Sequence, residues 1–177
     1  PQHSAREWWD AREAETPELV VEVRPEQLKA VRDAAEADGV DLMVLDTRPS
    51  AESDAMAAAK LADFALLVTR PNFFDVRAIA HTVDVVKLAR AKSAIVLNAC
   101  PPGRGEKESG LTTEAREALA GYGLALCPSA VSQRAAIAHA LISGQAVAEF
   151  EPEGRAAAEI AAVWNWTRGV LWPNAGS

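Results

Sequence analysis

This chain of 177 residues has few cysteines, no surplus of basic residues and no long apolar runs. Cys100 and Cys127 are its two cysteines, too few for a disulfide framework or a zinc site built from thiolates. Such sparse use of cysteine fits a reducing compartment, so we expect a cytoplasmic protein. No apolar stretch approaches the roughly 18 residues of a membrane-spanning helix, and no secretory signal opens the chain. We therefore expect neither a disulfide-stapled secreted domain nor a membrane span.

The charge balance is acidic. The chain has 18 Lys and Arg against 25 Asp and Glu, a formal net charge of -7. DNA-binding domains usually carry a basic surplus, so the composition makes no general electrostatic case for nucleic acid, although a basic face can lie within an acidic total. Hydrophobic residues make up 49% and charged residues 24%, as in ordinary globular proteins. The length predicts a single domain over residues 1–177 with one sizeable core.

Short apolar runs alternate with amphipathic segments along the chain. Strands are predicted at 19–23, 42–45, 64–68, 93–98 and 124–128. The runs at 42–45, 64–68 and 93–98 are almost entirely apolar, which is typical of strands buried on both faces of a parallel sheet. Helices are predicted at 4–13, 25–39, 55–62, 75–90, 113–120, 134–142 and 154–171. This order predicts an α/β fold, with an open, mostly parallel sheet and helices on both faces.

Polar residues follow three of these strands. In open α/β sheets, ligands bind beyond the carboxyl ends of the strands. Asp46 can hold a metal or a metal-bound water beside phosphates, and the amide of Asn98 can recognise a planar base. Arg70 can pair with a phosphate or a carboxylate across a dimer interface. Each also has a plain structural interpretation, as a helix cap, a turn residue or a solvated strand end, and the pattern alone leaves both open.

Several short motifs occur in a characteristic order. Residues 41–49 read DLMVLDTRP, and residues 62–71 read ADFALLVTRP. IVLN at 95–98 is followed by Pro101, and QRAAIAHA stands at 133–140. In this order they resemble the Walker-B and switch segment, the next strand, the adenine-side strand and the C-terminal segment of the ParA/MinD family of deviant P-loop ATPases. Each motif is weak alone, but the match is collinear over almost the whole chain.

The resemblance implies a role for three residues near the metal and the γ-phosphate of ATP. Asp46 would bind Mg²⁺ through water, and Asp46 and Thr47 would form the catalytic part of the site. Thr47 and Arg48 would belong to the switch that senses the γ-phosphate. Arg48 stands where the family usually has proline, which puts the behaviour of the switch in question.

The resemblance also implies which residues would lie beside the adenine base of the nucleotide. Asn98 would contact the adenine of ATP, Pro101 would follow it in the same segment, and Pro128 would lie against the base. These residues come from the ends of two predicted strands, at 93–98 and 124–128.

One family motif is missing. The phosphate loop K-G-G-x-G-K-[ST] occurs nowhere in these 177 residues. In the family it precedes D-x-D-P-Q by on the order of 30 residues or more, and Pro1 and Gln2 match the end of D-x-D-P-Q. Its backbone N–H groups and lysines hold the phosphates, so we do not expect this chain alone to hydrolyse ATP. The missing initial Met and the match at Pro1 favour a longer protein.

The missing loop has a structural consequence. In the family its strand lies in mid-sheet, next to the strand that ends at Asp46, so its absence predicts exposed apolar strand edges. We expect a further N-terminal segment, a rearranged dimer, or two inner strands that close on each other.

Three functional interpretations follow. The first is a ParA-like ATPase, in its complete form an ATP-dependent, DNA-associated homodimer that positions plasmids, chromosomes or other cargo and is stimulated by a ParB-like partner. The second, favoured by Arg48, is a non-catalytic ParA-like module that dimerises without ATP turnover. The third is an unrelated flavodoxin-like or receiver-like domain. A receiver would need clustered acidic residues at its first strand, and the sequence has none there.

Overall fold

A computed structural model of the chain describes residues 4–18, 23–47, 52–104 and 107–173. Most of the predicted strand at 19–23 lies outside the described residues, as do Pro1, Gln2 and Arg48.

Helices and strands alternate through most of the described chain. The helices are α1 Ser4–Asp10, α2 Leu28–Ala37, α3 Glu52–Leu61, α4 Phe73–Ala89, α5 Gly110–Ala120, α6 Ala135–Ile142, α7 Val147–Phe150 and α8 Arg155–Leu171, with a 3-10 turn at Pro25–Gln27 before α2. The strands are β1 Ala65–Thr69, β2 Ser93–Leu97 and β3 Ala125–Leu126. Within the described ranges, no helix is both long and apolar enough to cross a membrane.

The three strands form one parallel sheet in the order β1-β2-β3. β1 pairs with β2 over its full length, so that Thr69 lies opposite Leu97. β3 contributes only two residues to the ladder, but past its end the N–H of Cys127 still donates to the carbonyl of Ile95 at 2.8 Å. The predicted α/β fold with an open parallel sheet is confirmed.

β2 lies at the centre of the core. Its residues from Ala94 to Leu97 are each at most 3% exposed. Because successive side chains of a strand point to opposite faces, this burial shows that both faces of β2 are covered. Helix α4 packs on the sheet through its apolar residues Val76, Ile79, Val83 and Val86. It starts where the Oδ1 of Asn72 accepts a hydrogen bond from the N–H of Asp75 at 2.9 Å, a capping contact that satisfies one free amide of the first turn.

Residues 42–45 do not form the predicted buried strand. The described stretch 42–47 has no regular secondary structure, and the side chains of Leu42 and Val44 are 45% and 78% exposed. An apolar run becomes a buried strand only where a neighbouring strand meets its backbone groups, and among the described residues β1 is paired on one edge only. Among the described residues β1 therefore has one unpaired edge, and the segment before Asp46 does not pair with it.

Several helix limits differ from the sequence prediction, and α3, for example, begins at Glu52 instead of residue 55. Helix α5 begins at Gly110, because Ser109 is its N-cap in place of the expected Thr113: the Oγ of Ser109 accepts a hydrogen bond from the N–H of Thr112 at 3.2 Å. Helix α1 ends at Asp10 instead of residue 13.

Candidate functional site

Asn98 lies at the carboxyl end of β2. Its N–H donates to the carbonyl of Thr69 at 2.8 Å, and its exposed side chain accepts a hydrogen bond at Oδ1 from the N–H of Ala99, also at 2.8 Å. Ala99 has a φ of 51°, a left-handed conformation that is uncommon for a residue other than glycine. The described part of the chain offers no acceptor to the Nδ2 of Asn98, so this amide is free to donate to a ligand.

Pro128 lies just past β3 and is held from helix α5 by Arg116. The Nη1 of Arg116 donates to the carbonyl of Cys127 and its Nη2 to the carbonyl of Pro128, each at 2.8 Å. The Nε and Nη2 of Arg116 also donate to the two carboxylate oxygens of Glu108, both at 2.7 Å. This bidentate hydrogen bond raises the pKa of Arg116 above its already high ordinary value. The loop that carries Pro128 is thus bound to a permanently charged side chain.

Pro101 lines a polar cavity of about 170 Å³ formed by the loop after β2 and the starts of α5 and α8. Arg134 and Glu159 form an ion pair in its wall, 2.6 Å between Nη2 and Oε1, and the N–H of Ser132 donates to Glu159 at 2.8 Å. Burial acts to raise the pKa of Glu159, but the hydrogen bonds from Arg134 and Ser132 together outweigh it and hold that pKa below its usual value. The carboxylate is therefore charged and already neutralised by Arg134.

Two further cations line the same cavity. Lys107 and Arg155 are exposed, and neither has a carboxylate partner among the described residues. Because Glu108 and Glu159 are each paired with an arginine, the uncompensated charge that the described residues place at the cavity is positive. This part of the surface can attract an anion even though the whole chain is acidic.

Both cysteines are close to these elements but are buried, with Cys100 3% and Cys127 0% exposed. Burial raises the pKa of both thiols, so neither is a thiolate near neutral pH. They pack as small apolar residues of the core.

Asp46 and Thr47 lie apart from the sheet. Both are exposed, and Asp46 lines an open, mainly apolar depression with Trp8 of α1 and Leu141 and Ile142 of α6. Among the described residues, no group of three or more His, Cys, Asp or Glu side chains is placed to hold a metal ion. A single carboxylate is nevertheless compatible with Mg²⁺, which often keeps several waters and takes its other ligands from phosphates. The described residues thus bring Asn98, Pro101 and Pro128 to the carboxyl end of the sheet and place Asp46 in a separate depression.

A further contact between arginine and glutamate joins the segment after α1 to the C-terminal helices. The Nη1 and Nη2 of Arg12 donate to the two carboxylate oxygens of Glu149 at 2.8 and 2.7 Å, and Nη1 also donates to the carbonyl of Gly144 at 2.9 Å. The guanidinium lies 5.1 Å from the centre of the Trp8 ring. These contacts hold α1, and with it one wall of the depression beside Asp46, against the segment that connects α6 to α7.

Comparison with solved structures identifies the fold. The MinD cell division protein of Aquifex aeolicus matches this chain with a TM-score of 0.62 and 14% sequence identity, over 83% of this chain and 61% of that protein. This chain has a MinD-like fold. No family model matches the sequence, and no curated protein does. The chain spans about 61% of the MinD structure that it matches, and at this identity the likeness concerns the fold alone.

The sequence did not reveal the arginine contacts of this chain, as those of Arg12 and Arg116 illustrate. Arg12 and Glu149 are 137 positions apart, so no local spacing signals their pairing. Arg116 and Glu108 are eight positions apart, which is not the spacing of neighbouring side chains on a helix. The other partners of Arg116 are backbone carbonyls, and no pattern of side chains in the sequence indicates those contacts. Only the sheet and its helices bring these groups together.

Proposed function

We propose that this protein, in its complete form, is a ParA/MinD-type ATPase and that the described chain supplies the base side of its nucleotide site. The observation that carries the proposal is the position of Asn98 and Pro128 at the carboxyl ends of neighbouring parallel strands in a MinD-like fold. Ligands of open α/β sheets bind at this end. The Nδ2 of Asn98 donates to a ring nitrogen of adenine, and the apolar ring of Pro128 packs against the face of the base.

The phosphate side depends on residues of the N-terminal half and on a phosphate loop that these 177 residues do not contain. In this proposal Asp46 holds Mg²⁺ through water, and Thr47 and Arg48 sense the γ-phosphate. The metal neutralises charge that develops on the phosphates during transfer to water. Pro101 stays with the base side, since it lies in the loop that follows Asn98.

DNA association belongs to the same proposal and has a specific structural support. Lys107 and Arg155, the two cations at the polar cavity that lack a carboxylate partner among the described residues, are exposed on one side of the molecule. Exposed lysine and arginine bind phosphates of any sequence and release counterions. We propose that these two residues contact the DNA backbone, and that the homodimer and the ParB-like activator act on this DNA-bound form to position plasmid, chromosome or other cargo.

The second candidate is a non-catalytic ParA-like module that dimerises without ATP turnover. The exposed side chains of Leu42 and Val44 and the edge of β1 that is unpaired among the described residues support it, because an unpaired strand edge pairs readily with another chain. The intact mass of the protein isolated from its own source separates the two candidates. A mass near 18.8 kDa favours the non-catalytic module, and a mass larger by several kDa favours the ATPase.

Equilibrium binding of a fluorescent ATP analogue with Mg²⁺ to the full-length protein tests the ATPase proposal. Asn98→Ala should weaken binding about tenfold, since one hydrogen bond to a base is worth about 1–1.5 kcal/mol. Asn165→Ala, the same substitution at an exposed position of α8, is the matched control and should leave binding unchanged. If wild-type protein does not bind the analogue, or Asn98→Ala binds it as well as wild type, the base-side assignment is wrong.

A further inference from the structure

Arg116 stands at the point where β3 passes into the loop of Pro128. It binds two consecutive backbone carbonyls, those of Cys127 and Pro128, with two nitrogens of one guanidinium. In an extended strand, consecutive carbonyls point to opposite sides. Here both carbonyls bind the guanidinium of Arg116, so the chain bends at Pro128. The contacts of Arg116 stabilise this bend.

The bend returns the loop to the central strand. The N–H of Val131 donates to the carbonyl of Leu97 at 2.9 Å, and the N–H of Cys127 donates to that of Ile95 at 2.8 Å. These two hydrogen bonds attach both ends of the segment 128–130 to β2. Arg116, on α5, binds the same segment at the carbonyl of Pro128. Asn98 follows Leu97 directly, so the same anchors determine how far the ring of Pro128 lies from the amide of Asn98.

Glu108 fixes Arg116 in this position. It precedes Ser109, the N-cap of α5, and binds both Nε and Nη2 of Arg116 at 2.7 Å. The side chains of Arg116 and Glu108 are 20% and 35% exposed. Four of the five N–H groups of a guanidinium are engaged by these contacts. Lysine cannot reproduce them, because an ammonium is a point charge without a planar fork.

From this geometry we infer that Arg116 is a positioning residue that sets the base selectivity of the nucleotide site, acting through the loop of Pro128. The inference rests on the proposed function, because it takes the space between Asn98 and Pro128 as the slot for the base. Arg116 itself touches no ligand in this account. Its contribution is the width and orientation of the slot, on which the discrimination between adenine and guanine depends.

The ratio of affinities for fluorescent ATP and GTP analogues, measured on the full-length protein with Mg²⁺, tests the inference. A general loss of stability lowers both affinities, whereas a displaced Pro128 loop changes their ratio. Wild type should prefer ATP. Arg116→Lys, which keeps the charge and loses the fork, should reduce that preference at least fivefold, and Glu108→Gln should reduce it by a smaller factor. Arg168→Lys, an exposed arginine on α8, is the matched control and should preserve the wild-type ratio.

Each outcome is decisive. If folded Arg116→Lys retains the wild-type ratio while Asn98→Ala weakens ATP binding, the positioning role is wrong and the proposed function stands. If wild type binds neither analogue, both are wrong. Should Arg116→Lys fail to fold, Glu108→Gln decides alone, and an unchanged ratio in that variant overturns the inference.

Discussion

Arg12 and Glu149 form a bidentate ion pair across 137 positions of the sequence, with N···O distances of 2.8 and 2.7 Å. The side chain of Arg12 is 8% exposed and that of Glu149 45%. The hydrogen bonds from Arg12 and from the N–H of Ala146 lower the pKa of Glu149 from its usual 4.5 to about 2. The pair therefore links the protonation of one carboxylate to the attachment of α1.

The first prediction concerns acid stability. A carboxylate whose pKa is lower in the folded state stabilises that state above its unfolded pKa, and this contribution is lost as the pH falls to the folded value. The contribution of Glu149 should thus be complete above about pH 4.5 and disappear toward pH 2. Urea unfolding at several pH values should show that Glu149→Gln is less stable than wild type at pH 7, with a difference that shrinks between pH 4.5 and 2.

Glu153→Gln serves as the control for this experiment, since Glu153 is exposed and has no ion-pair partner in the described part of the chain. Its stability should follow that of wild type at every pH. A constant difference between wild type and Glu149→Gln over the whole range would contradict the assignment of the lowered pKa to Glu149.

The second prediction concerns Gly144, which accepts a hydrogen bond from Arg12. Its φ is 63°, and a Cβ added there would lie 2.4 Å from the carbonyl carbon of Ala11. Gly144→Ala should therefore lower the free energy of unfolding by at least about 1 kcal/mol, from the backbone conformation alone. Gly169→Ala on α8, where nothing lies within 4 Å of the added Cβ, should raise it by about 0.5–1 kcal/mol. Denaturant unfolding measures both, and equal effects of the two variants would contradict the left-handed conformation of Gly144 and its close approach to Ala11.

The third prediction tests the exposure of residues 42–45. In this 177-residue chain Val44→Ala should change the free energy of unfolding by less than about 0.5 kcal/mol, because its side chain is 78% exposed. Leu97→Ala, at a fully buried position of β2, should lower it by about 2–5 kcal/mol. A loss above 1 kcal/mol for Val44→Ala in the same chain would show that the segment is buried. In a longer protein that supplies the missing mid-sheet strand, the same substitution should become destabilising.

The fourth prediction concerns the DNA surface. Lys107→Gln and Arg155→Gln should each weaken binding to a duplex of random sequence and reduce the slope of log K against log salt by about one. Lys60→Gln, an exposed lysine on α3, is the control and should leave both quantities unchanged. Fluorescence anisotropy over a series of salt concentrations gives the slope. If DNA binding does not weaken with added salt, the proposal that Lys107 and Arg155 contact DNA phosphates is wrong.

The parallel sheet was predictable because its signals are local. The runs at 64–68 and 93–98 are mostly apolar and alternate with helical segments, with Thr69 after the first and Asn98 at the end of the second, and they form β1 and β2 within one or two residues of the predicted limits. The same reasoning was wrong for residues 42–45, although that run is equally apolar. A buried strand requires a partner backbone as well as apolar side chains, and the described chain offers this segment none.

The sequence by itself determined the alternation of helices and strands, because side-chain periodicity and turn residues act over a few positions. It also placed Asn98 and Pro128 at the ends of two predicted strands, whereas the pairing of those strands came from the tertiary structure. Only the tertiary structure decided the long-range contacts: Arg116 binds the carbonyls of Cys127 and Pro128, and Arg12 binds Glu149. These contacts join a side chain on one element to atoms of another, and such distances are set by the packing of helices on the sheet, which no local pattern records.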